Sequence, residues 1–155
     1  MYSTLLIIHS LFRWLVLISL IYAIYRFIRG YRLKVHFSSL DNTVRRATVA
    51  IAHIQLVLGV CLYFISPIIA YFLANLGESL SLREIRFFGM EHSLMMFLAI
   101  VCISIGSIKA KRESIDGKKF KIIATWFTVG LLIILLNIPW EFSPLVSRPS
   151  FRWFY

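Results

Sequence analysis

The sequence predicts an all-α membrane protein, a four-transmembrane-helix bundle with both termini outside the cytoplasm. Three observations lead there. Hydrophobic residues make up 59% of 155 positions and mean hydropathy is +0.80, more apolar surface than a water-soluble domain of this length can hide. Four apolar runs, at about 5–27, 47–70, 87–108 and 122–140, each come close to the ~20 residues that carry a helix across a ~30 Å hydrocarbon core. They lack the alternation of barrel strands, so helices must satisfy their backbone groups. Finally, 12 of the 17 basic residues flank the connections after the first and third runs, and four, Arg83, Arg86, Arg148 and Arg152, fall on the other side. By the positive-inside rule the two basic connections are cytoplasmic.

Taken in order, the first run has no basic residue before it and no small-residue cleavage site, so it reads as a retained helix and not as a signal peptide. The connection that follows carries Ser38, Ser39, Leu40, Asp41 and Asn42, a capping sequence for the second helix. That helix reaches Ser66-Pro67 and is expected to continue, kinked, into the apolar stretch ending at Leu73. Residues 75–86 are polar enough to leave the membrane as a short interfacial helix. The connection SIDGKKFK offers an Asp-Gly turn, making the third and fourth helices antiparallel neighbours. Residues 141–155, rich in proline and aromatics, read as an extracytoplasmic strap, and the whole chain as a single domain.

The net charge of +10 could suggest nucleic acid, but its placement at helix ends fits topology and anionic lipid instead, so nucleic-acid binding is discarded. Cys61 and Cys102 are isolated and read as small buried hydrophobes. His36 falls in a cytoplasmic connection and reads as solvated.

Function is sought in the ionisable residues that interrupt the apolar runs: His9 and Arg13 in the first, His53 in the second, Glu91 and His92 in the third. Such groups are costly at membrane depth and tend to pair, line a cavity or hold a cofactor. Counting ~1.5 Å per residue from the cytoplasmic helix ends puts His9, Glu91, His92 and Asn137 at about 24–25 Å and Arg13 at about 20 Å, but His53 at about 10 Å. His9 and Arg13 are i, i+4 and share a face, as do Gln55 and Gly59, where the glycine makes room for a neighbour or a flat ligand.

Two imidazoles from facing helices are the usual axial pair of a b-type haem, and an arginine one turn away suits a propionate. Depth favours His92 and His9 as the iron ligands. His53 joins them only if the second helix is strongly tilted, and otherwise serves as a proton or quinone contact. Each residue also has a purely structural reading: histidines bonding neighbouring helices, Arg13 paired with Glu91, Met90, Met95 and Met96 packing, and Asn137 satisfying backbone freed near Pro139. No motif identifies a catalytic residue.

At HSLFRW (His9–Trp14), AHIQLVLG (Ala52–Gly59), EHSLMM (Glu91–Met96) and NIPW (Asn137–Trp140) the chain resembles a family of small bacterial four-helix membrane proteins usually labelled cytochrome b. The resemblance spans all four helices. It implies haem b, with His9, His53 and His92 as candidate haem-site histidines and Arg13 and Glu91 as their polar companions. It also implies residence in the bacterial cytoplasmic membrane. A more distant likeness, to membrane protoporphyrinogen oxidases, would make porphyrin a substrate. Three functions follow: electron transfer between a membrane quinol and a partner, a porphyrin- or quinone-linked oxidoreductase, or a non-catalytic assembly subunit of a membrane complex.

Overall fold

The computed structural model describes residues 1–141 and Val146, so the proline-rich tail expected over 141–155 lies almost wholly outside the described residues. Among the described residues the chain is helical: α1 (Tyr2–Arg32), α2 (Ser39–Ile65), α3 (Pro67–Ala74), α4 (Leu76–Ser79), α5 (Arg83–Arg86), a π-helical turn (Phe87–Glu91), α6 (His92–Arg112) and α7 (Asp116–Asn137). Four helical stretches, α1, α2, residues Arg83–Arg112 and α7, are long and apolar enough to cross a membrane. Ile18, Tyr25, Val57, Phe64, Leu132 and Leu136 are exposed on their outer faces, a surface suited to lipid and not to water.

The long helices exceed the apolar runs chiefly at their basic ends. The 31 residues of α1 amount to ~47 Å, more than the hydrocarbon core requires, so Arg26, Arg29 and Arg32 stand at or beyond its edge. Helix α2 begins where the capping sequence predicts: Asp41 N–H donates to Ser38 Oγ, and Ser38 N–H donates to Asp41 Oδ2. Asp41 also pairs with Arg26 at 2.7 Å, tying α1 to α2.

At the other end α2 stops at Ile65. Pro67 pushes Ser66 into an extended conformation and opens the separate helix α3 at its first turn, so the expected kink is a full break. Two single turns, α4 and α5, stand where one interfacial helix was expected.

Between α6 and α7 the Asp-Gly pair makes no turn. Glu113 turns the chain instead, its carboxylate accepting from the Ile115 and Ser114 amides, and these bonds hold its pKa below the usual range. Asp116 starts α7, where a carboxylate suits the helix dipole.

Around the bundle α1 packs on α2 and α7, and α6 on α7 and α2, which leaves α1 and α6 diagonal. The core is densest toward the basic end, where Phe27, Phe120 and Phe127 meet beside Leu20, Ala23, Ala52, Ile103 and Ile123. Cys102 is half-buried and Cys61 is exposed, so neither is the fully buried hydrophobe expected.

Candidate functional site

The site is built at the end of the bundle opposite the basic connections, where α1 begins, α6 begins and α7 ends. Pro139 has no N–H to give the Leu135 carbonyl, and the Trp140 indole N–H takes that place at 2.9 Å. Asn137, the last residue of α7, has a carbonyl with no following helical amide, and His92 Nδ1 donates to it at 2.8 Å. The Asn137 side chain donates to the Ile133 carbonyl of its own helix, as the structural reading of that residue expects.

This bond fixes the His92 tautomer. A carbonyl can only accept, so the proton is on Nδ1 and the lone pair of the neutral ring is on Nε2, which makes no hydrogen bond to any described residue. A backbone carbonyl on one nitrogen and a lone pair presented by the other is the usual dressing of a metal-binding histidine. Phe87 and Phe88 flank the ring at 5.7 and 6.1 Å between centroids. They come from the π-helical turn just before His92, which the apolar pattern did not disclose.

His9 enters from the diagonal helix, close enough to interact electrostatically with both His92 and Arg13. Gln55 of α2 donates to the His9 carbonyl at 3.0 Å and lies 3.4 Å from His9 Nε2. Gly59, one turn on, makes the space the sequence suggested: a β-carbon there would stand 3.3 Å from His9 Cε1. Despite these contacts His9 Nδ1 and Gln55 Oε1 are both buried without a hydrogen-bond partner. Unmatched polar atoms inside a bundle are expensive.

Arg13, one turn below His9, has its guanidinium carbon 5.4 Å from the Trp14 ring centroid and 6.0 Å from that of Trp140, and the two indoles meet edge to face. Trp14 has no role in the sequence reading and Trp140 only that of an interfacial aromatic, although both lie within the motifs quoted above.

Two expected placements are corrected. Glu91 is paired with Arg86 at 2.6 Å, a local contact across the π-helical turn that replaces the tie to Arg13 inferred from matching depth. The cysteine positions apart, the other concerns His53, which is exposed on the outer side of α2. Its Nδ1 donates to Val49 O at 2.8 Å, and its Nε2 lies 3.4 Å from Ser104 Oγ of α6. Ser104 is twelve residues beyond His92, about 18 Å along α6, so His53 is as far from the His9–His92 pair as depth counting indicated.

Among the described residues no three His, Cys, Asp or Glu side chains are grouped to hold a metal ion. Haem iron asks for only two protein ligands, and the donor set of His9 and His92 fits that demand. The chain matches no known family model, no curated protein and no solved structure.

Proposed function

We propose that the protein is a b-type haem membrane protein that passes electrons between a membrane quinol and a partner, with His92 and His9 as the residues that would hold the haem. The observation that carries this reading is the pair of imidazoles brought together from diagonal helices, each with a ring nitrogen not committed to the protein. Haem bound there supplies one-electron transfer. In this reading the Asn137 carbonyl orients His92, Gln55 and Gly59 position His9, and Phe87 and Phe88 keep water from the ring. Arg13 brings positive charge to a propionate from between two indoles.

His53 then serves as the quinol contact, in the lower half of the bundle. With Nδ1 protonated toward Val49, its Nε2 is a lone pair on the lipid side, and the Ser104 hydroxyl is already given to Ile100 O at 2.8 Å. A lipid-soluble hydroxyl supplies the missing donor. The charge asymmetry favours placing the basic end inside, and the family resemblance favours the bacterial cytoplasmic membrane.

A second reading, a non-catalytic assembly subunit, is favoured by the His92–Asn137 bond taken alone, since it also closes a helix end. An absorption spectrum of the purified protein before and after dithionite separates the two.

A further inference from the structure

We propose that the basic end of the bundle holds a built binding site for a phosphate group, between the start of α2 and the facing ends of α6 and α7. It rests on Arg45. This residue is only 7% exposed, and no carboxylate lies within 4 Å of it among the described residues. Its guanidinium is held by neutral groups alone: the Ser107 carbonyl at 3.3 Å, the Ser107 hydroxyl, and Asn42 Oδ1 at 2.6 Å. A buried cation normally has a counter-charge, because hydrogen bonds to neutral groups do not restore what desolvation removes.

The space beside Arg45 is shaped to receive that counter-charge. An open cleft of about 290 Å³ is lined by Arg45, Ser39, Asn42, Lys111 and Lys119, with no acidic residue in its wall. Lys111 has no side-chain partner among the described residues, whereas Lys119 lies 3.3 Å from Asp116 and 5.4 Å from the Phe37 ring centroid. The cleft opens at the N-terminus of the 27-residue α2, whose first amides add to the positive field. Asp41, the acidic residue of that first turn, is instead engaged by Arg26 and Ser38.

Three cations from three helices around one cleft call for an anion with several acceptor oxygens, as phosphate has. An anionic phospholipid headgroup and a free phosphate share that chemistry, and both reach this end of the bundle.

The test uses the whole protein in a neutral detergent, with the melting midpoint as readout. It is titrated with inorganic phosphate against sodium chloride at matched ionic strength, and separately with short-chain phosphatidylglycerol against phosphatidylcholine of the same chain length. A saturable rise with phosphatidylglycerol alone assigns a lipid headgroup, and a rise with phosphate assigns the phosphate group itself. The same response to the controls overturns the site, as does no response. Because Arg45 also ties α2 to α6, the deciding variant is Lys111→Gln with Lys119→Gln. It should weaken the response at least about tenfold, while Arg83→Gln at the opposite end leaves it intact. An equal fall in both variants overturns the proposal by reducing it to net charge.

Discussion

His92 Nδ1 donates to the Asn137 carbonyl over 2.8 Å, joining the first residue of α6 to the last of α7. The bond closes a helix end that Pro139 leaves open and leaves the opposite nitrogen of the ring without a hydrogen bond to any described residue. Packing and the proposed haem ligation would therefore use different atoms of one side chain, and substitution can separate them.

His92→Asn keeps a donor near the Nδ1 position and removes Nε2, whereas His92→Leu removes both. The leucine variant should lose about 1–3 kcal/mol, the cost of an unsatisfied buried carbonyl, and the asparagine variant distinctly less. Detergent unfolding curves measure this, and equal losses would dissociate the Asn137 bond from stability. Neither variant should bind haem.

Gln55→Leu removes a buried amide that leaves its own oxygen unmatched, so it should change stability by less than about 1 kcal/mol. Gly59→Leu forces the His9 ring away and should cost about 1–3 kcal/mol through overpacking. The same unfolding assay compares them, and a Gln55→Leu loss as large as that of Gly59→Leu would show that the His9–Gln55 contact is better satisfied than its geometry indicates.

Much of this fold was legible in the sequence because lipid imposes length and hydropathy on every span, and Ser38 with Asp41 announces the start of α2. Heights were legible too: counting residues brought His9 and His92 together and set His53 apart. Direction around the helix axis was harder, since apolar residues face both core and lipid in a membrane span. Hence the outward turn of His53 had no plain signature, and Cys61 shares that fate. Glu91 was misassigned because depth says nothing about a partner five residues back along the chain, and Arg86 reaches it through the π-helical turn. Asp116-Gly117 resembles a turn, but Glu113 caps the chain first and leaves both residues helical.

The Arg86–Glu91 pair is about one-third exposed on both sides, so a double-mutant cycle should return a coupling of only about 0.2–1 kcal/mol. A parallel cycle on Arg13 and Glu91 should be additive. Strong coupling in the second cycle would restore the direct pair that depth alone suggested.

The basic connections set the expected orientation, with both of them cytoplasmic. In a background with Cys61 and Cys102 replaced by alanine, Ser114→Cys should react with a membrane-impermeant thiol reagent only after the cytoplasmic side is opened, and Ser81→Cys in intact spheroplasts. Both residues are exposed, Ser81 in the turn before α5 and Ser114 just after α6, at opposite ends of the Arg83–Arg112 helical stretch. The reverse pattern would invert the topology and move the candidate haem site to the cytoplasmic half.

The most direct measurement is the dithionite-reduced minus oxidised spectrum of the purified protein, quantified against protein concentration, for the natural chain and for single alanine variants of His9, His53 and His92. Sharp b-type bands at one haem per chain are expected, lost in His9→Ala and His92→Ala and largely kept in His53→Ala, with all variants eluting as folded protein. A colourless natural chain, or haem lost with His53 and kept without His9, would contradict this.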